Sequence, residues 1–372
     1  MGAVLAGLAA LVLAGTVQAG GIILAARPPG EAGLQLDTAL ISPELPRIQG
    51  SAPVPLDYVV ERGDTLSAIA VRFGVTTAAL AAENGITRPD RIEIGQALRI
   101  DDPAPSAPAL PPDGAFERLQ LWPWPPAQGQ TLIVWMQARD PVTFTLSFGG
   151  QEYPVVAGGR EGWALVPISA VAAPGPAPLY LAAGDSEVTL EAQIQAGVFE
   201  TEEIPASASD PILSQAAKVN AELVLTTRLF AGMTPFGWTP RSRFASPLVG
   251  QFPRTAPFGS RRTYGDSPAI SFHAGEDFAA PPGTPVLAPA AGVVLLAAPL
   301  FVRGNAVMID HGRGVISGYW HMSKLDVKPG DRVEPGQQLG EVGTTGLSTG
   351  AHLHWELHVD GVAVDPLQWL GP

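Results

Sequence analysis

All six histidines of the 372-residue chain lie between His273 and His358, and two of them, His352 and His354, flank a single leucine. The run from Ala351 to Val359, AHLHWELHV, alternates in the manner of a β-strand, where residues two apart project to one face. Both imidazoles therefore converge on one centre. His358 shares that face, but at roughly 3.3 Å per residue it sits about 13 Å beyond His354 and is read as a surface or structural histidine. His273 and Asp277 belong to HAGEDFAAPPG, where Gly275 and the prolines favour a tight loop over a helix. A catalytic zinc takes three protein ligands and keeps a fourth position open for water, which a His, Asp, His set would allow. Two further histidines then remain for proton transfer, and the chemistry implied is zinc-assisted hydrolysis.

The elements that must position these groups are short. Pro285 to Leu296, Asn305 to Ile309, Gly314 to Trp320, Arg332 to Val342 and His352 to Asp360 are apolar or alternating runs, with Gly, Pro and Asp turns every ten or so residues. That spacing predicts an all-β domain with no long helix. His311 sits in an Asp-His-Gly segment between two such runs and is read as a hydrogen-bonded turn histidine.

Three separated segments, His273-x-Gly275-x-Asp277, Tyr319-Trp320-His321-Met322 and His352-Leu353-His354, resemble the signatures of the M23 (LytM/lysostaphin-like) zinc metallopeptidases. Connecting text such as Ala280-Pro281-Pro282-Gly283-Thr284-Pro285-Val286 and Gly343-Thr344-Thr345-Gly346 is similar to that family as well. The resemblance covers residues 247–372. It implies an antiparallel β-sheet with a zinc groove, and hydrolysis of peptide bonds in peptidoglycan. It implies His273, Asp277 and His354 as the Zn2+ ligands, with His321 and His352 as catalytic histidines that activate water or steady the oxyanion. Arg261, Arg262 and Tyr264 precede the first ligand where groove-lining residues stand, so substrate contact by Arg262 and Tyr264 is one reading and a solvated turn the other. Glu276 and Glu356 are the carboxylates to suspect if the chemistry were glycoside hydrolysis.

Upstream, residues 56–101 open with Tyr58-Val59-Val60-Glu61-Arg62-Gly63-Asp64-Thr65-Leu66 and close with Ile92-Glu93-Ile94-Gly95-Gln96-Ala97-Leu98-Arg99-Ile100. This unit resembles a LysM module, which implies a βααβ fold and binding of N-acetylglucosamine-containing glycan. Asp64 or Thr65 can cap a first helix through Ser67 to Phe73. The family's groove would fall on Asp64, Thr65, Leu66 and Ile86.

Residues 116–198 carry alternating runs such as Thr131 to Met136 and Thr143 to Phe148 with Gly-Gly turns, the pattern of a small Ig-like β-sandwich. Trp122 and Trp124 offer either a sugar platform or core packing. Residues 199–246 form a linker with a helix over about 211–229, capped at Asp210-Pro211, with Ile212, Ala216, Val219, Leu223 and Leu229 roughly periodic. The whole is a mainly β, multidomain chain. Residues 27–55 and 102–115 read as Pro-rich linkers, semi-rigid and extended.

A net charge of -13 and a pI near 4.9 argue against nucleic acid or an anionic membrane surface as partner. With no cysteine, disulfides and thiolate zinc sites are excluded. Residues 1–26 contain no charged side chain and are read as an export signal, either cleaved after Val17-Gln18-Ala19 or retained as a membrane anchor. The expected location is extracytoplasmic: secreted, periplasmic or on the cell wall. Three functions fit these expectations: a wall endopeptidase held on glycan, a non-enzymatic M23-like activator of cell-wall amidases, and a peptidase of non-wall peptides. A complete ligand set favours the enzymes over the activator, and the LysM module favours the wall as substrate.

Overall fold

The computed structural model describes residues 56–60, 64–73, 75–100, 108–111, 113–204, 215–232, 234, 243–264 and 270–370. The apolar segment 1–26, the linker 27–55 and the Asp210-Pro211 cap lie outside the described residues. No described helix is long and apolar enough to cross a membrane.

The first unit is a βααβ module. Strands Leu56–Val59 and Ala97–Ile100 pair antiparallel around helices α1 (Leu66–Arg72) and α2 (Thr77–Glu83). Each helix begins where a threonine hydroxyl accepts an otherwise orphaned N–H: Thr65 Oγ1 from Ala68 at 3.1 Å and Thr76 Oγ1 from Ala79 at 3.0 Å. Leu66, Ile69, Leu80, Leu98 and Ile100 fill the core.

Two four-stranded sheets then face each other across a dry interior that includes Leu121, Leu132, Val134, Met136, Leu179 and Leu181. Along Thr131–Ala138 the even positions from Leu132 to Met136 point into this sandwich. Trp135 points the other way, as do Trp163 and Leu165 of the neighbouring strand Glu161–Pro167, and all three join the core of the C-terminal domain. The sheet is therefore buried on both faces, which is why Leu132 to Met136 contains no polar residue. Thr131 and Gln368 exchange two hydrogen bonds across this junction, at 2.7 and 3.0 Å.

Helix α3 (Ala216–Phe230) follows and lies against the C-terminal domain. Its buried stripe is Val219, Glu222, Thr226 and Phe230, while Leu223 and Leu229, expected on the inner face, are half-buried.

The C-terminal domain is built on an eight-stranded antiparallel sheet. Gly275–Phe278, Leu353–Val359, Val315–Met322, Gly304–Gly312 and Gly292–Leu300 are neighbours in that order. One face, with Leu353, Trp355, Leu357, Val307, Ile309 and Tyr319, packs on a small three-stranded sheet and on the sandwich tryptophans. On the other face Ala306, Met308, Ile316 and Trp320 are covered by Phe230 of α3. The segment read as a tight loop around His273 and Asp277 is instead mostly strand, with Asp277 paired to His354 and Gly275 to Glu356. Pairing with a central strand fixes these residues more firmly than a turn would.

Candidate metal centre

The register of the sheet assembles the site. Asp277 lies beside His354, and Trp320, next to His321, lies on the other side of the same residue. His273 Nε2, Asp277 Oδ1 and His354 Nδ1 converge: 2.7 Å separates His354 from Asp277, 3.0 Å the two imidazoles and 3.3 Å His273 from Asp277. All three side chains are nearly buried.

The outer partners decide which nitrogens face inward. His273 Nδ1 lies 3.1 Å from the Pro257 carbonyl, and His354 Nε2 lies 3.0 Å from Glu356 Oε1. Both partners only accept, so they draw the imidazole protons outward and leave two nitrogen lone pairs and one carboxylate oxygen facing one another. Three such acceptors repel unless a cation sits among them, and ligand bonds of roughly 2.0–2.1 Å to a tetrahedral zinc would set them about 3.3 Å apart. The residues present thus fit a zinc ion. Burial opposes charge on His354, but Asp277 and Glu356 outweigh it and raise the imidazole to about 9. Asp277 is held well below the carboxylate range, burial being overcome by His354 and His273.

Gly275 makes this packing feasible. A Cβ there would lie 2.5 Å from the Trp355 carbonyl oxygen and 2.7 Å from His354 Nε2, so only glycine lets the Asp277 strand approach the imidazole so closely.

Two more imidazoles border the trio. His321 and His352 stand with ring centroids 4.7 Å apart, and His321 is 6.2 Å from His354. His321 Nδ1 donates to the Thr345 carbonyl at 2.8 Å and His352 Nδ1 to the Gly350 carbonyl at 2.8 Å, which leaves each Nε2 as an acceptor. Burial pulls His321 down to about 4, opposed by the Thr345 hydrogen bond and reinforced by His354 and His352. His321 has φ 63°, a left-handed conformation that costs a non-glycine residue on the order of 1–3 kcal/mol and is held by its surroundings. His352 precedes the strand, which begins at Leu353, and forms an isolated antiparallel bridge with Gly343.

Other residues singled out from the sequence have different surroundings. His311 is fully buried within a strand rather than a turn, bonded to the Ala291 carbonyl at 2.9 Å and Ser317 Oγ at 2.8 Å. His358 is buried against Phe230, with ring centroids 3.5 Å apart, and lies 3.0 Å from Glu356 Oε2. Glu276 is sealed in the interior, bonded to Arg254 Nη1 at 3.2 Å and to the Phe258 N–H at 2.9 Å. The backbones of Arg262 and Tyr264 pair with Glu202 and Ile204, while their side chains lie outside what the structure describes. Trp124 packs on the sandwich core and Trp122 lies under Arg243.

In the βααβ module, Leu66 belongs to the core, Ile86 packs at its edge and Thr65 is the exposed helix cap. Asp64 accepts from the Tyr58 hydroxyl at 2.6 Å and pairs with Arg254 Nη2 at 3.5 Å. Arg254 Nη2 also bonds the Tyr58 hydroxyl. Arg254 therefore joins this module to Glu276, the neighbour of Asp277. Glu356, Gly275 and Arg254 were missed by reading the sequence for metal ligands; of these, only Glu356, two residues beyond His354 on a strand, carried a signal in its spacing.

Residues 271–366 match the model of peptidase family M23, and residues 58–101 match that of the LysM domain. Peptidoglycan DD-endopeptidase ShyA of Vibrio cholerae is 38% identical over 122 residues, 33% of this chain and 28% of its own length. The chain spans about a quarter of the length of such curated relatives. A lipoprotein NlpD/LppB homolog of Pseudomonas aeruginosa is 29% identical over 315 residues, 84% of this chain and 76% of its own. A crystal structure from Pseudomonas aeruginosa described as a peptidase M23 is 30% identical with a TM-score of 0.49, covering 66% of this chain and 95% of that one. With the signature residues gathered at one site, the C-terminal domain belongs to peptidase family M23, and a LysM domain stands ahead of it in the same chain.

Proposed function

We propose that the chain is a zinc endopeptidase of the cell envelope that hydrolyses peptide bonds in peptidoglycan, with His273, Asp277 and His354 as ligands. The observation that carries this reading is the convergence of three inward-facing acceptor atoms beside two imidazoles whose Nε2 atoms are free to take a proton. Zinc held there supplies Lewis acidity, lowering the pKa of water to about 7 and polarising a carbonyl. His321, kept neutral by burial, accepts a proton at Nε2 during attack, and its Thr345 hydrogen bond keeps the ring aimed. Protonated His321 then returns that proton to the leaving amine, while His352 stands across from it, with Nε2 3.9 Å from Asp277 Oδ1, and steadies the oxyanion once its own Nε2 has taken a proton. Relatives named for peptidoglycan DD-endopeptidase activity support wall peptide as substrate. The LysM domain supports retention on N-acetylglucosamine-containing glycan outside the cytoplasm, with residues 1–26 as the export signal or anchor.

Metal analysis and mass spectrometry of muropeptides released from purified sacculi test this reading. His354→Ala should lose zinc, whereas His321→Ala and His352→Ala should keep it and lose about 10²-fold or more in turnover. Full zinc occupancy in His354→Ala would remove that residue from the site. Intact wall peptides after exposure to the zinc-loaded chain would refute the substrate.

A further inference from the structure

We propose that Glu222, on helix α3 and outside the peptidase-family match, is a positioning residue of the metal centre. The inference rests on the zinc-peptidase reading. Glu222 is 5% exposed, and its carboxylate is turned into the domain rather than toward solvent. Oε2 accepts the Val302 N–H at 2.7 Å, and Oε1 accepts the Arg303 N–H at 3.1 Å and Arg303 Nη1 at 3.0 Å. One side chain thus fixes both the backbone and the guanidinium of the turn between two central strands.

That turn reaches the site by two routes. The Arg303 carbonyl accepts the His321 N–H at 2.8 Å, and the Val302 carbonyl accepts the Leu347 N–H at 2.7 Å. The first bond holds His321 in its left-handed conformation. The second secures the loop whose Thr345 carbonyl orients the His321 ring. Along the other route Arg303 Nη2 lies 3.9 Å from Glu356 Oε1, the same oxygen that meets His354 Nε2 at 3.0 Å and the Trp320 indole N–H at 3.0 Å. A buried carboxylate on a surface helix would be costly if its only role were packing, where an apolar residue serves better. Here its three hydrogen bonds all go to the one turn that supports both His321 and His354.

The test compares Glu222→Ala and Glu222→Gln with Val219→Ala, a packing change one turn earlier on the same buried stripe that leaves the carboxylate in place. Three quantities are read: kcat and KM on a soluble wall peptide, zinc affinity by chelator competition, and the imidazole 15N shifts of His321 and His354 in metal-free protein. Glu222→Ala should lower kcat about tenfold and weaken zinc severalfold with KM little changed, the range typical of outer-shell partners. Glu222→Gln, which keeps one acceptor for the turn, should fall between. Val219→Ala should lose comparable thermal stability without these effects. Wild-type chain that neither binds zinc nor cuts wall peptide would sink the functional reading alone, because the imidazole shifts still report the support from Glu222. Unchanged shifts in Glu222→Ala and Glu222→Gln, or equal changes in Val219→Ala, would overturn the proposal.

Discussion

Gly275→Ala perturbs the site by a single carbon. The new Cβ would lie 2.5 Å from the Trp355 carbonyl oxygen, 2.7 Å from His354 Nε2 and 3.0 Å from Glu356 Cγ. Ordinary contacts between such atoms begin near 3.5 Å, so about 1 Å of movement must be found. The Trp355 carbonyl belongs to a central strand flanked on both sides and cannot withdraw. His354 and Glu356 must therefore shift, which spoils the hydrogen bond that turns Nδ1 toward Asp277. Overpacking of this kind costs about 1–3 kcal/mol of stability. Disturbing the outer partner of a ligand typically weakens metal binding about 10- to 100-fold, or roughly 1.4–2.8 kcal/mol. Chelator competition reads the second quantity, and melting with and without saturating zinc reads both, since the zinc-bound form should lose more. Gly114→Ala, whose added carbon meets its nearest neighbour at an ordinary 3.5 Å, is the control. Zinc affinity unchanged in Gly275→Ala would refute the claim that this glycine sets the approach of the two strands.

Arg254→Ala removes the guanidinium that pairs with fully buried Glu276 and with Asp64 and that bonds the Tyr58 hydroxyl of the LysM domain. Breaking a buried pair in this way costs about 3–5 kcal/mol, so the melting temperature should fall; an unchanged melting curve would argue against the pairing. His311 is held near 4 by burial, against an ordinary value of 6.5. Below pH 6.5 the unfolded chain takes the proton first, so stability is complete above that pH and drains away down to about pH 4, by about 3 kcal/mol in all. Urea midpoints measured across that range should fall less steeply in His311→Gln, and parallel slopes would count against the assignment.

The spacing of His352, Leu353 and His354 suggested only that two imidazoles share a face, and the grouping of His273 and Asp277 with His354 came from the family resemblance; the structure brings those three side chains together. The β class and a central sandwich were legible because turn residues and alternation recur at short intervals, and the LysM unit was legible through its resemblance to that family. What escaped is long-range. Asp277 sits in a strand because it pairs with His354, a partnership that local glycine and proline content argue against. The left-handed backbone of His321 follows from bonds to Arg303 and Thr345, residues distant in sequence. Apolar spacing placed a helix over about 211–229, whereas it runs from Ala216 to Phe230, and its buried carboxylate belongs to Glu222, which a hydrophobic periodicity counts as surface. The apolar stretch Leu132 to Met136 was readable as a strand. That it is buried on both faces depends on a domain more than a hundred residues away.

Trp135, Trp163 and Leu165 complete the interior of the peptidase from the sandwich side, and this limits how the chain can be rearranged in evolution. A recombination break between sandwich and peptidase would expose a continuous apolar face on each fragment, and a new neighbour would have to arrive with a matching surface already in place. At the junction between the LysM domain and the peptidase, by contrast, Arg254 makes polar contacts with Tyr58 and Asp64. Exchanging the module at the front of the chain should therefore disturb less apolar packing than separating the sandwich from the peptidase.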